Sequence, residues 1–186
     1  MKRKLFLACI LVICLSILTT GTLAYFTSKQ TAHNIITTSG VEIDLKETTI
    51  NDEGKEVPFE NKDGILPGAE VSKIVRVANT GPAEVWVRVS ITKAFDIQGG
   101  DPNLLHLDLN LSEEEDGWTQ QGDYFYYNKP LAPGEVTTAL FTTVTFDKTM
   151  GNEYQNTKAH ITVNAQAVQT ANNDGPAWEA KGWPKA

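Results

Sequence analysis

The sequence predicts an all-β fold: a two-sheet antiparallel sandwich preceded by a cleavable signal-peptide helix. Three observations carry that expectation. Apolar residues recur with a period of two in run after run beyond residue 40, clusters of Gly, Pro, Asn and Asp stand between the runs, and the first 24 residues have the layout of an export signal. After the signal no segment keeps a 3.6-residue apolar period over ten or more positions, so helices are not expected there.

The signal comes first in the chain. Lys2, Arg3 and Lys4 form a positive n-region, Leu5 to Leu18 an apolar h-region, and Thr22-Leu23-Ala24 a small-residue site that places cleavage between Ala24 and Tyr25. A second reading is an uncleaved membrane anchor, since the stretch from Leu5 to Phe26 carries no charge and approaches the roughly twenty residues a spanning helix needs. Thr19, Thr20, Gly21 and Thr22 dilute its second half, which suits an h-region better. In either case the positive end stays inside and the bulk of the chain is exported.

Cleavage leaves 162 of the 186 residues, enough for one domain with one core. The signal takes three basic residues and no acid with it, so the formal charge moves from −7 to −10. That balance, with no Lys/Arg cluster after Lys4, disfavours nucleic acid and anionic membrane surfaces as partners, so no nucleic acid is expected. Both cysteines, Cys9 and Cys14, leave with the signal, so the mature chain has no disulfide, thiol nucleophile or thiolate metal site.

The expected strands follow in order. Val41, Ile43 and Leu45 open the series. Val71, Val75 and Val77 continue it, interrupted by Lys73. Val85, Val87, Val89 and Ile91 form a stripe opposed by Trp86, Arg88, Ser90 and Thr92, and Leu105, Leu107, Leu109 and Leu111 put four leucines on one face. Tyr124 to Tyr127 is an aromatic strand; Leu140, Val144 and Phe146, then Ile161, Val163, Ala165 and Ala167, complete the set. Turn signals separate them at Asp52-Glu53-Gly54, Asp63-Gly64, Pro67-Gly68, Thr80-Gly81-Pro82, Gly99-Gly100, Asp116-Gly117 and Pro133-Gly134. Leu66-Pro67-Gly68-Ala69-Glu70-Val71 and Leu131-Ala132-Pro133-Gly134-Glu135-Val136 echo one another, each launching a strand. The organisation is therefore signal peptide 1–24, N-terminal segment 25–40, sandwich 41–170 and C-terminal tail 171–186. The tail is read either as a loosely packed end or, through Trp178 and Trp183, as a cap on an apolar groove of the same or a neighbouring molecule.

No catalytic constellation emerges. His33, His106 and His160 are isolated, with His106 and His160 on polar strand faces, and neither a zinc-binding histidine pair nor a nucleophile elbow is present. Asp108-Leu109-Asn110-Leu111-Ser112 begins like a calcium loop but has Glu113 where glycine should stand and Thr119 at the twelfth position. The run Glu113-Glu114-Glu115-Asp116 reads as a solvated acidic loop. Hence no cofactor, no metal and no enzyme activity are expected.

The order of motifs carries a resemblance. Phe26 shortly after the cleavage site, a polar spacer, Ser39-Gly40-Val41-Glu42-Ile43-Asp44-Leu45, then Leu66-Pro67-Gly68, Val77-Ala78-Asn79-Thr80-Gly81, Val87-Arg88-Val89 and Ala165-Gln166-Ala167-Val168-Gln169 resemble the TasA/camelysin-like exported proteins, in their BsaA-type biofilm-matrix branch. The similarity covers nearly the whole chain, through short motifs. It implies a jelly-roll-like sandwich, processing at Thr22, Ala24 and Tyr25 by a SipW-type signal peptidase of a Gram-positive bacterium, and head-to-tail homopolymerisation into extracellular fibres. The freed N-terminal segment would then be a donor strand with Phe26, Ile35 and Ile36 as anchors, no stable membrane insertion after cleavage, and further matrix or anchoring proteins as additional partners. A metalloprotease label carried by some members does not transfer, because the histidine ligands are missing. The alternative from a different class is a monomeric cell-surface adhesin or carbohydrate-binding module, with Trp86, Trp118, Trp178 or Trp183 stacking on sugar rings.

Overall fold

Alternating β-branched residues dictate the architecture. In Val85-Trp86-Val87-Arg88-Val89 every second side chain is a valine, and all three valines are fully buried, because a pleated strand sends successive side chains to opposite faces. The computed structural model describes residues 40–61, 66–154 and 157–184. Among them run β1 (Ile43–Ile50), β2 (Glu56–Pro58), β3 (Glu70–Asn79), β4 (Val85–Phe95), β5 (Leu105–Leu109), β6 (Trp118–Gln121), β7 (Tyr124–Tyr127), β8 (Phe141–Phe146) and β9 (Ala159–Gln169), with three single-turn 3-10 segments.

The strands form two sheets, β2-β1-β3-β8-β5 and β6-β7-β4-β9, and every strand pair is antiparallel. The core lies between them: Ile43, Val75, Val77, Leu105, Phe141, Val144 and Phe146 from one sheet meet Val85, Val87, Val89, Phe125, Tyr127 and Ala167 from the other. Burying each such aliphatic or aromatic side chain contributes about 1.5–3 kcal/mol. The expected all-β sandwich is the observed one.

Two short strands escaped the sequence reading. β2 has only three residues and β6 four, too few for a visible alternation. β3 explains the interruption at Lys73. Its register against β8 shifts between Ser72 and Val75, a bulge that turns Lys73 out of the valine stripe and into an ion pair with Glu47 at 2.9 Å, over the Phe59 ring. The four-leucine stripe is corrected as well. β5 ends at Leu109 after a register shift against β8, and Leu111 departs to an isolated bridge with Trp118 and is 46% exposed.

The two Pro-Gly echoes have one geometry. Ala69 N–H bonds to the Leu66 carbonyl and Glu135 N–H to the Ala132 carbonyl, both at 3.0 Å, and the glycines between have φ of +79° and +82°. These are type II turns, with Pro at the second position and Gly at the third. They sit at opposite ends of one strand pair: Gly68 N–H bonds to Phe146 at the end of β8, and Gly134 N–H to Asn79 at the end of β3.

Candidate assembly surfaces

A sheet is incomplete at its edges, where a row of backbone N–H and C=O groups lacks a partner strand. Among the described residues three of the four edges are guarded. β2 is three residues long and ends in Pro58, and its Glu56 carboxylate is tied to Thr48 and to the Arg76 guanidinium. Those bonds, Thr48 first, hold the Glu56 carboxyl below its ordinary value. β5 is irregular, and Lys93 reaches across from the other sheet to donate to its Leu105 carbonyl at 2.7 Å. β6 is four residues long, and Ser112 N–H bonds to the Trp118 carbonyl on its open side.

The fourth edge, β9, is different. It has eleven residues, AHITVNAQAVQ, with no Pro, Gly, Lys, Arg, Asp or Glu among them, and it pairs with β4 through eleven consecutive positions without a shift. Among the described residues no strand pairs with its other side. Its core-facing Ala159, Ile161, Val163 and Ala165 are only partly buried, whereas Val85, Val87 and Val89 of neighbouring β4 are fully so. Gly40, where the described chain begins, stands at the far end of this edge: its φ is +90°, and a Cβ there would lie 3.1 Å from the Gln169 side-chain amide.

The outer face of the same sheet is covered by the tail. Trp86, Tyr126 and Val168 form a second apolar cluster with Ala177, against which Ala180 and Trp183 pack. Arg88 is the pin of this layer. Its guanidinium lies 3.9 Å from the Tyr124 ring centroid and 4.6 Å from that of Trp183, and it donates to Gln166 Oε1 at 2.7 Å and to the Pro184 carbonyl at 2.9 Å. Trp86 Nε1 donates to the Asn173 carbonyl and Trp183 Nε1 to that of Ala177. Tail residues 171–184 therefore cap a groove on their own molecule. Trp86 and Arg88, placed on the polar face by alternation alone, are 7% and 8% exposed. The signal that could have found this clasp is the pair of aromatics at alternate positions, Tyr124 and Tyr126, matched to Trp183 in the tail.

Polar chemistry elsewhere is local. His106 Nε2 and Asp147 Oδ2 are 2.8 Å apart, and Asp147 Oδ1 accepts from the Thr149 hydroxyl at 2.6 Å and its backbone N–H at 2.7 Å. Those Thr149 bonds, with help from His106, lower the Asp147 carboxyl to about 2. His160 pairs with Asp96 at 3.0 Å. Both histidines face solvent, as expected from their strand positions. The acidic run is a built turn: Asn128 Nδ2 donates to the Ser112 and Glu114 carbonyls, both at 2.7 Å, and Lys129 meets Asp116 at 2.6 Å, lowering its carboxyl. An open groove lined by Glu70, His106, Asp108, Thr143 and Thr145 crosses the outer face of the five-stranded sheet. Among the described residues no group of three His, Cys, Asp or Glu side chains is arranged to hold a metal ion.

Of the tryptophans proposed for sugar stacking, Trp86 and Trp118 are buried, Trp183 packs on Tyr126 and Arg88, and Trp178 is 40% exposed. The cleavage residues Thr22, Ala24 and Tyr25 and the donor-strand anchors Phe26, Ile35 and Ile36 lie outside the described residues. No protein-family model, no curated protein and no solved structure matches this chain.

Proposed function

We propose that this chain is a secreted structural protein that polymerises into extracellular biofilm-matrix fibres, by donating its N-terminal strand after a SipW-type peptidase removes residues 1–24. The observation that carries the reading is β9, a long, regular, uncharged strand that ends its sheet among the described residues, where the other three edges are guarded. Such an edge recruits a strand, and main-chain hydrogen bonds along it supply affinity. The export signal fits an extracellular destination, and the order of motifs described above fits the matrix family. The subunit works as a building block and not as an enzyme.

The test is negative-stain electron microscopy of the chain beginning at Tyr25, beside the same chain beginning at Gly40. Fibres from the longer chain alone are the expected outcome. Absence of fibres from both, across salt and pH, would leave a monomeric binding module as the better reading.

A further inference from the structure

We propose that residues 171–184 are exchanged between copies: the tail of one copy lies in the outer-face groove of a second, and the second returns its own. Exchange uses the end of the chain and the sheet face that strand donation does not, and it rests on the fibre reading only where local concentration enters.

The tail is braced as a unit. Within it Lys181 N–H donates to Asn173 Oδ1 at 2.7 Å, and Trp183 Nε1 and Ala180 N–H both donate to the Ala177 carbonyl at 3.2 Å, so its shape is set by its own bonds. A separate set holds it to the sheet. Trp86 Nε1 donates to the Asn173 carbonyl at 3.3 Å, Asn173 Nδ2 to the Gln169 carbonyl at 2.8 Å and Arg88 to the Pro184 carbonyl at 2.9 Å, while Ala177, Ala180 and Trp183 pack with Trp86, Tyr126 and Val168. A tail arriving from a second copy makes the same contacts, because none of them depends on which copy's Thr170 leads into it. The groove thus fits its proposed occupant, since it already holds the same segment.

The hinge is Thr170 to Asn172. Thr170 still belongs to the sheet, with its N–H on the Glu84 carbonyl at 3.2 Å and its hydroxyl on Glu84 Oε2 at 2.9 Å. The chain then reverses in a four-residue turn, closed by Asn173 N–H on the Thr170 carbonyl at 2.9 Å. Asn172 holds that turn at φ of +64°, and among the described residues it is the one non-glycine in the left-handed region. Opening the turn breaks its closing bond and releases that conformation, while the tail recovers its contacts on the second copy. Exchange of identical segments is for this reason a low-cost route to association. The two forms are then separated mainly by concentration, since a tail on a short link meets its own groove at an effective concentration on the order of millimolar. Dilute copies keep their own tails; copies packed in a fibre reach that range and trade them. Each copy gives what it receives, so the contact is two-fold and closes on two copies, tying filaments side by side without lengthening them.

The experiment uses the chain beginning at Tyr25; the described core starts at Val41, so removing residues 1–24 takes away none of its contacts. Trp183 is replaced by photoreactive benzoylphenylalanine, an aromatic group at an aromatic site. Equal amounts of isotopically light and heavy copies are mixed in denaturant and refolded at concentrations from about 10 μM to about 1 mM, up to the range of the effective concentration. Adducts on β4 and β7 are mapped by mass spectrometry after irradiation. Expected are same-copy adducts in dilute samples, and a light–heavy share that climbs toward about half, the value for complete exchange at equal mixing, in concentrated samples and in fibres. Asn172→Pro fixes φ at about −65° and bars the closed turn, so it should raise the light–heavy share at every concentration. Same-copy adducts alone, in concentrated samples and in intact fibres, would overturn exchange and leave the fibre reading standing. An Asn172→Pro chain that loses its same-copy adducts and gains no light–heavy ones would overturn exchange too. Light–heavy adducts that rise with concentration in material that forms no fibres would uphold exchange and overturn the fibre reading.

Discussion

Arg88 is a charge held on the outer face of a sheet between two aromatic rings, and among the described residues no carboxylate pairs with it. Its fork of N–H donors satisfies Gln166 and the Pro184 carbonyl while its plane stacks on Tyr124 and Trp183, a combination an ammonium group does not reproduce. Arg88→Lys is therefore expected to destabilise the fold by about 1–3 kcal/mol. Chemical denaturation followed by tryptophan fluorescence would show this, with the native spectrum altered through Trp183. An unchanged midpoint and spectrum would mean the stack contributes nothing. Asp147 makes a different prediction. Its folded carboxyl lies near 2, below the ordinary 3.8, so its stabilisation is present above about pH 4 and is lost as pH falls toward 2. Asp147→Asn should lower the melting temperature at pH 6 and converge on the parent near pH 2. A gap that persists at pH 2 would point to lost packing instead.

At the level of elements, the type II turns decide where β3 begins and how the chain approaches β8. Gly134 has φ of +82°, and no atom lies within 4 Å of where its Cβ would be, so a substitution there meets conformational strain and no clash. Gly134→Ala should cost about 1 kcal/mol, and Gly134→Asn less, since asparagine tolerates this region. Thermal melts of the two variants give the comparison, and equal costs would show that the backbone can relax. The Pro-Gly pairs were legible in the sequence because turn chemistry is local. The bulge at Ser72–Val75 was legible only as an interruption by Lys73, because a bulge is a relation between two strands. β2 and β6 were invisible for the same reason: three or four residues become a strand when a neighbouring strand supplies their hydrogen bonds.

For the whole molecule the balance is between an acidic surface and an uncharged edge. Residues 25–186 carry a formal charge of −10, so copies of the chain beginning at Tyr25 repel as they approach, while β9 offers no charge of either sign to a Debye-screened partner. Screening shortens from about 10 Å at 0.1 M salt to about 3 Å at 1 M. Assembly of the chain beginning at Tyr25, followed by light scattering, should therefore speed up as sodium chloride is raised across that range. A rate that falls with salt would mean that attractive ion pairs guide the encounter. The tail bears on this scale too: residues 171–184 fold over Trp86 and Tyr126 and close the apolar outer face of the four-stranded sheet.

The sequence by itself determined the fold class and most of the strands, because alternation and turn residues are properties of neighbouring positions. It also determined that residues 25–186 contain no cysteine and are acidic. Which strand ends a sheet was decided only in three dimensions. The run Ile161, Val163, Ala165, Ala167 reads like any inner strand, and β9 ends the sheet of the described residues solely through the order β6-β7-β4-β9. The tertiary structure likewise decided that Trp86 and Arg88 are covered, since the residues that cover them arrive from 87 and 96 positions away, at Asn173 and Pro184. Contacts between positions so distant are set by how the chain folds back on itself, and no local pattern of residues encodes them.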